Sequence, residues 1–369
     1  MPENGARGPL TYIGQSIYAN LRYDRSAYSM QWNVDLQQEL PGSLLVEAAY
    51  AGGGGVKLPA SSDLNQLADQ YLALGSELSK TVSNPFYGIL PASSTLGKRT
   101  TTHGQLLRPF PWLTGLTHQW GGQAHSTYHS LQIKARKRYA NGLQFLLAYT
   151  WSKSIDDVSA ISTFLGIQNP GYTNANCKRL DKSLSAADVP HRLAFNYQWE
   201  LPFGKGKQWL SRGWTAHAAG GWTLSGVTTI QSGTPLSINS ASNTTGSFGA
   251  VQRPNSAGIS SRTPGSDGER IDHWFLASAF VDAPAYAFGN VGRFLPDNRG
   301  PHLHNWDISA LKVVAAGERF RVQFRAEFFN ALNQVNFQPP ATVFGQPQFG
   351  LITAAEPARI IQFGLKFYF

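Results

Sequence analysis

Alternation of apolar and polar residues with a period of two is the dominant pattern of this chain. In residues 28–37 every second residue from Tyr28 to Leu36 is apolar, and polar residues fill the positions between. Successive side chains of a β-strand point to opposite faces, so this pattern predicts a strand with one apolar face. The same alternation predicts strands at 143–152, 191–201, 319–329 and 361–369. Weaker alternation predicts four more, at 43–50, 126–139, 219–231 and 304–314.

The connections between these strands alternate between short and long. Leu40-Pro41-Gly42, Asn141-Gly142 and Ala316-Gly317-Glu318 have the residues of tight hairpin turns, and 202–213 is a somewhat longer link on the same side. The long connections are predicted at 51–125, 154–189, 233–303 and 332–357, and Gly52–Gly55 reads as a flexible start to the first of them. Short turns alternating with long loops are typical of outer-membrane β-barrels, in which the long loops are extracellular.

Composition favours the same class. Charged residues are 14% of the 369 residues, against roughly 25% in an average soluble domain. The chain is rich in aromatic residues, which excludes a disordered chain, and its single cysteine excludes a disulfide scaffold. No run approaches the 18 or so apolar residues of a membrane helix. We therefore predict an all-β protein, an antiparallel transmembrane barrel portion of about nine or ten strands.

A barrel in lipid presents apolar side chains outward and tolerates charge in its lumen. The aromatic residues Trp32, Tyr149, Trp151, Trp199, Phe320 and Phe328 lie towards strand ends on the apolar side, as in interfacial girdles. The alternation assigns these polar residues to the lumen: Asp35, Lys134, Arg136, Arg192, Glu200, Asp307, Arg321, Arg325, Glu327 and Lys366.

Parity raises a question about residues 1–26. Bacterial single-chain barrels have an even number of strands, and nine strands would begin on the wrong side of the membrane. Either residues 1–26 hold a tenth strand, for which 12–23 offer weak alternation, or they are a leading segment or extracellular loop of a longer barrel. Residues 1–8 show no secretory signal pattern, so we expect residues 27–369 to be the C-terminal part of a larger barrel.

Several short motifs occur in order along nearly the whole chain. They include Asn84-Pro85-Phe86-Tyr87-Gly88, Tyr149-Thr150-Trp151-Ser152-Lys153-Ser154, Asp188-Val189-Pro190-His191-Arg192, Gln231-Ser232-Gly233-Thr234-Pro235 and Glu327-Phe328-Phe329-Asn330-Ala331-Leu332-Asn333. In these motifs and their order the chain resembles the TonB-dependent outer-membrane receptors, specifically their Oar-like group with a carboxypeptidase-regulatory-like domain. The resemblance implies a 22-stranded barrel of which this chain is the C-terminal part, closed by a plug that, like the TonB box, lies upstream. It also implies an assembly signal for the barrel assembly machinery in Phe363, Leu365, Phe367 and Phe369.

Other chemistry is weakly represented. Gly204-Lys205-Gly206-Lys207 lacks phosphate-loop spacing, and His118, His125 and His129 lack zinc-ligand spacing. His302 and His304, two residues apart, would share a strand face near the outer rim, where they could contact a ligand. Asp156-Asp157 reads as solvated loop residues, and Cys177 as a tolerated loop thiol with Lys178 and Arg179 beside it. The basic run 134–139 alternates between two faces, which argues against nucleic acid. We expect no cofactor, no metal and no enzymatic activity.

The sequence is compatible with three functions. The first is nutrient uptake in the cell outer membrane, with outer-membrane lipid, the barrel assembly machinery and an unknown small-molecule, sugar or peptide ligand as partners. The TonB complex would act only through a plug absent from this chain. The second is an adhesive or structural surface protein, and the third is a soluble all-β glycan-binding or glycosidase domain. Loops 51–125 and 233–303 would determine specificity.

Overall fold

The computed structural model describes residues 12–90, 94–158, 172–249, 251–316 and 320–369 of the chain. Two short α-helices, α1 (His103–Leu106) and α2 (Gly213–Ala219), lie among the strands, with 3-10 turns at Asp69–Ser79, Lys178–Asp181, Asp267–Glu269 and Ala277–Ala279. The strands are β1 (Ser16–Ala19), β2 (Tyr28–Leu40), β3 (Leu44–Asp63), β4 (Thr81–Ser83), β5 (Thr100–Thr102), β6 (Gly115–Ala140), β7 (Leu143–Asp156), β8 (Ser183–Leu184), β9 (His191–Glu200), β10 (Trp222–Gln231), β11 (Asn239–Ser240), β12 (Asn255–Ser256), β13 (Phe280–Val281), β14 (Leu303–Ala316), β15 (Phe320–Phe329), β16 (Val343–Phe344) and β17 (Ile360–Tyr368).

One large sheet dominates the fold. Its long strands are hydrogen-bonded in the order β2-β3-β6-β7-β9-β10-β14-β15-β17, and β1 and β8 add short pairings to β6 and β7. Every neighbouring pair along the main path is antiparallel. All nine strands predicted from the alternation are present, in sequence order. The all-β, antiparallel prediction is thereby confirmed.

Tight turns join the strands at one end of this sheet, which we call the short-turn end. Asn141 and Gly142 have φ angles of 54° and 79° and join β6 to β7. Two successive positive φ angles match the right-handed twist of the flanking strands, and Asn and Gly reach them at little cost. Gly42 and Ser43 have φ angles of 83° and 60° between β2 and β3. Gly317 and Glu318 of the third predicted turn lie outside the described residues.

The first long loop is shorter than predicted because β3 and β6 extend far past the other strands. β3 continues to Asp63 and β6 begins at Gly115, so the prediction of a loop over 51–125 was wrong at both ends. Gly52–Gly55 are not a flexible loop start but strand residues paired with both β2 and β6. The Trp32 indole lies so close to Gly52 that a Cβ there would be 2.3 Å from its Nε1. Glycine therefore makes room for Trp32.

Two other predicted boundaries also change. The weak strand at 219–231 begins only at Trp222, because residues before it form α2. In the leading segment, β1 has four residues and pairs in parallel with Gly115–His118 at the start of β6. This short parallel strand is not a tenth barrel-length strand. Residues 1–11 lie outside the described residues.

The long connections pack together at the opposite end, the long-loop end. Nine buried apolar residues from connections 233–303 and 332–357 form one core, which includes Trp274, Phe280 and Ile352. A second cluster joins Leu67, Leu72 and Leu78 of the first loop, with Tyr286 of a later loop against it. These connections form a packed cap on the sheet. Within the described ranges, we find no helix whose length and hydropathy would let it cross a membrane.

Candidate functional site

The strand register divides the sheet into two chemically different faces. Residues that are paired across neighbouring strands lie on the same face, and the register can be followed from β2 to β17. For example, Glu47 pairs with Lys134, Thr150 with Arg192, and Gln323 with Lys366. Followed in this way, all ten predicted lumen residues lie on one face, the charged face: Asp35, Lys134, Arg136, Arg192, Glu200, Asp307, Arg321, Arg325, Glu327 and Lys366.

The other face, the apolar face, has no Asp or Glu in the described strand residues, counted in β3 up to Val56, where its register first shifts. Its lysines, Lys137, Lys153 and Lys312, lie near the ends of the strands. Large apolar side chains on this face are open to their surroundings: Leu36 is 75% exposed and Phe363 is 67% exposed. Exposed apolar surface of this extent marks a surface that contacts something other than water.

Opposite charges and amides are paired on the charged face. Lys134 Nζ lies 2.8 Å from Glu47 Oε1, and Gln37 Nε2 donates to the other Glu47 oxygen at 3.3 Å. Arg325 Nε lies 3.4 Å from Glu327 Oε1. Because these groups remain partly exposed, each ion pair contributes little to stability, about 0–1 kcal/mol. The face therefore presents hydrogen-bonding groups that a polar ligand or water can reach.

A cavity of about 610 Å³ lies on this face and brings together three of the predicted residues. Arg136, Asp307 and Glu327 line it, with Asn196 and Gln198 between them. Asp307 is fixed by two hydrogen bonds: Asn305 Nδ2 donates to Oδ2 and the Asn330 backbone N–H donates to Oδ1, both at 2.9 Å. A cation, two carboxylates and two amides around one cavity suit a polar, hydrogen-bonding ligand.

The other predicted residues lie outside this cavity. Arg192 lines a separate cavity of about 270 Å³ with Tyr149, His191 and His304. Glu200 lies 3.2 Å from Lys207 at the short-turn end. Asp35 accepts a hydrogen bond from Gln37 at 3.4 Å, and Lys366 lies over the Tyr368 ring. Arg321 lies opposite Tyr368 in the strand register between β15 and β17. These residues spread charge along the face.

Three arginine–aspartate pairs join connection 233–303 to β7 and to the loop after β7, and no pattern in the sequence indicates them. Arg253 and Asp181 are 2.5 Å apart and both are almost fully buried. Arg293 binds Asp156 at the end of β7, and Arg299 lies 2.5 Å from Asp188. The partners are 72 to 137 residues apart in the chain, so no local spacing could indicate the pairing. All three arginines come from connection 233–303 and all three aspartates from β7 or the loop after it.

Burial shifts the ionisation of side chains in the cap. Burial lowers the pKa of Arg253, while the Asp181 carboxylate opposes that shift. Burial likewise lowers the pKa of Lys178, opposed by Asp157. Asp157 also accepts hydrogen bonds from the backbone N–H of His125, at 2.7 Å. Asp156 and Asp157 thus have separate structural partners, which differs from the solvated pair expected from sequence.

The remaining sequence candidates do not converge. His118 lies 2.6 Å from Asp24, His125 lies 3.2 Å from Asp157, and His129 Nδ1 lies 2.7 Å from the Tyr50 hydroxyl. In the described part of the chain no group of three His, Cys, Asp or Glu residues could hold a metal ion. Cys177 is exposed. His302 and His304 have rings 6.3 Å apart, and His302 is bound to Asp267.

An antiparallel sheet with one charged face and one apolar face that has no Asp or Glu in its described strand residues, capped by packed loops, is typical of β-barrel membrane domains. The chain belongs to the outer membrane beta barrel domain family, whose profile matches residues 1–362. Its localisation is the cell outer membrane, as predicted. No curated protein matches the sequence.

Solved structures similar to this chain are transporters and receptors of the outer membrane. The outer membrane transporter YddB from Escherichia coli is 9% identical over 96% of this chain, with a TM-score of 0.47. The pyoverdine receptor FpvA from Pseudomonas aeruginosa PAO1 is 9% identical over 93%, with a TM-score of 0.39. The chain spans 34% of the first structure and 30% of the second.

Proposed function

We propose that this chain is the C-terminal barrel portion of a TonB-dependent outer-membrane receptor of the Oar-like group, which takes up a nutrient from the cell surface. In this proposal the charged face lines the lumen and the apolar face contacts lipid. The packed cap lies outside the cell and selects the ligand, and the short turns lie in the periplasm. Uptake is a non-covalent, gated process with no chemistry on the ligand.

The observation that carries this proposal is the separation of charge between the two faces of the sheet. An arginine or lysine on a lipid-facing surface costs about 2–4 kcal/mol at the bilayer midplane, whereas the same residue in a water-filled lumen costs little. The ten charged residues on one face match that energetic requirement, as does the opposite face, whose described strand residues include no Asp or Glu. The cavity at Arg136, Asp307 and Glu327 offers polar groups along the proposed path.

The geometry of the sheet edges supports a larger barrel. β2 and β17 are separated by eight antiparallel pairings, so they run in the same direction. Direct pairing of β17 with β2 would therefore be parallel, unlike every other pair on the main path. An odd number of additional strands closes a fully antiparallel barrel, and thirteen give the 22 strands of the receptor class that the sequence resembles.

The last strand fits a role in barrel assembly. Every residue of β17 is exposed, and its outer edge has no partner strand in the described part of the chain. Phe363, Leu365 and Phe367 lie on the apolar face, and the terminal Phe369 is 95% exposed. An exposed edge strand with free backbone groups can pair with a strand of another protein, which is what the barrel assembly machinery would supply.

Epitope accessibility on intact cells tests the orientation. A tag is inserted after Gly258 in the cap, and a matched tag is inserted after Gly206 in the link 202–213 at the short-turn end. Both glycines have open space around them. Antibody should reach only the first tag until the outer membrane is permeabilised. Reaching the Gly206 tag on intact cells would contradict the proposed orientation.

Uptake is tested in a strain that lacks the gene, complemented with the wild-type gene or with Arg136→Gln/Asp307→Asn. Growth on limiting siderophores, oligosaccharides and peptides should be restored by the wild type for one ligand class and reduced in the variant. Restored cell-surface adhesion without any restored uptake would favour the adhesive function instead.

A further inference from the structure

A group of basic side chains lies on the apolar face at the long-loop end of the sheet. Its members are His129 on β6, Lys153 on β7, His191 on β9 and His304 on β14, which we call the histidine border. His129 and Lys153 are direct partners in the register, and His191 pairs with Trp151, which is two residues before Lys153 on the same face of β7. All four side chains are exposed.

Two of the histidines are each hydrogen-bonded to a tyrosine and stacked on its ring. The Tyr50 hydroxyl lies 2.7 Å from His129 Nδ1, and the Tyr149 hydroxyl lies 2.8 Å from His191 Nδ1. In both pairs the rings are stacked, with interplanar angles of 19° and 18°. When the phenol donates to Nδ1, the ring proton is on Nε2, and that N–H can donate to an acceptor outside the protein.

Acidic side chains do not neutralise this border. The described strand residues of the apolar face include no carboxylate, counted in β3 up to Val56. The carboxylates towards the loops already have partners: Asp188, which lines a cavity with His129 and Lys153, is paired with Arg299, Asp157 with His125, and Asp267 with His302. Lys153 and the imidazole N–H groups therefore present positive charge and donors at the level where the apolar face ends and the cap begins.

We propose that the histidine border binds the phosphate groups of the phosphorylated glycolipid in the outer leaflet of the outer membrane. Lys153 and the Nε2 groups of His129 and His191 contact phosphate oxygens, and the exposed Trp151 beside them contacts the upper acyl chains. The two tyrosines are positioning residues that orient the imidazoles. The choice of glycolipid rests on the proposed function, because it requires the long-loop end to face outward.

The test uses the protein isolated from outer membranes in detergent, titrated with diphosphoryl lipid A, with dephosphorylated lipid A, and with phosphatidylglycerol vesicles. The variant His129→Phe/His191→Phe/Lys153→Gln removes the donors and keeps the two rings. It should bind diphosphoryl lipid A at least about tenfold more weakly, since hydrogen bonds to a charged group are among the stronger ones. The matched control Lys137→Gln, on the same face at the short-turn end, should bind like the wild type.

Three results would overturn the inference: unchanged affinity of the triple variant, equal binding of dephosphorylated lipid A, or equally strong binding of phosphatidylglycerol vesicles. Circular dichroism checks that the variant is folded. If it is not, the single variants Lys153→Gln and Tyr149→Phe are titrated instead, and each should bind diphosphoryl lipid A more weakly than the wild type. Affinity in detergent depends on neither orientation nor transport. A failed uptake or epitope experiment would therefore be distinguishable from failure at this border.

Discussion

Replacing Asp181 by asparagine should loosen the loop cap while leaving the barrel sheet intact. Asp181 Oδ1 lies 2.5 Å from Arg253 Nη2, and the carboxylate also accepts from the Thr173 N–H at 3.1 Å and from its hydroxyl at 3.2 Å. The Asp181 side chain is fully buried and that of Arg253 is 2% exposed. Asp181→Asn therefore leaves the Arg253 guanidinium buried without its counter-charge.

Removing one partner of a buried ion pair destabilises the structure around it by about 3–5 kcal/mol. Each 1.4 kcal/mol is a factor of ten in an equilibrium constant, so the open population of the cap should rise by roughly two to four orders of magnitude. The effect should be local, because the strand hydrogen bonds do not involve this pair and parts of a structure can open separately.

Hydrogen exchange with mass spectrometry on the protein in detergent measures this change. Peptides covering 172–184 and 251–256 should exchange much faster in Asp181→Asn, and peptides from β9 and β10 should not change. The double variant Asp181→Asn/Arg253→Gln removes both charges together and should recover most of the protection. Glu77→Gln serves as the matched control, because the Glu77–Lys80 pair is exposed and should contribute no more than about 1 kcal/mol.

Two outcomes would refute this reasoning. Exchange of the cap peptides within about threefold of the wild type in Asp181→Asn would show that the buried pair does not hold the cap, since the expected change is far larger. If the cap peptides of the double variant exchanged as fast as those of the single variant, the lost hydrogen bonds, not the uncompensated charge, would be responsible for the faster exchange.

Three further outcomes are expected. Leu147→Arg on the apolar face should destabilise the barrel by about 2–4 kcal/mol if the side chain lies near the bilayer midplane, and should therefore reduce the amount of assembled protein in outer membranes. Ala148→Arg on the charged face should assemble normally. Heat-modifiable mobility in gels quantifies the assembled protein. Gly52→Val should displace the Trp32 indole and change the near-ultraviolet circular dichroism, and that change should be absent in a Trp32→Ala background. Deleting Phe369 should slow assembly in cells but not refolding of the purified protein into detergent, and equal slowing of both would contradict a signal role.

The two faces of the sheet could be predicted from sequence because they depend on local geometry. Side chains alternate along a strand regardless of what the strand pairs with, so Arg136, Asp307 and Glu327 could be assigned to one face from alternation alone. That they line one cavity could not be predicted in the same way. They lie on strands β6, β14 and β15, and their approach depends on which strands are neighbours and on the register between them.

The ends of the strands were predicted less well because alternation weakens there. Gly52–Gly55 suggested a loop because glycine has no side chain and no strand propensity. In the folded protein these residues lie in the middle of a three-strand ladder, where Gly52 accommodates the Trp32 ring. The competing signal was tertiary packing, which a single-sequence pattern does not contain.

The sequence by itself determined that this protein is a membrane sheet with a charged side and an apolar side. Alternation and the low charge follow directly from the need to satisfy backbone groups and avoid charge in lipid. Only the tertiary structure decided how the long loops are organised. Asp181 and Arg253, like the Tyr–His pairs at the border, are far apart in the chain, and a contact between distant residues exists only once the fold has brought them together.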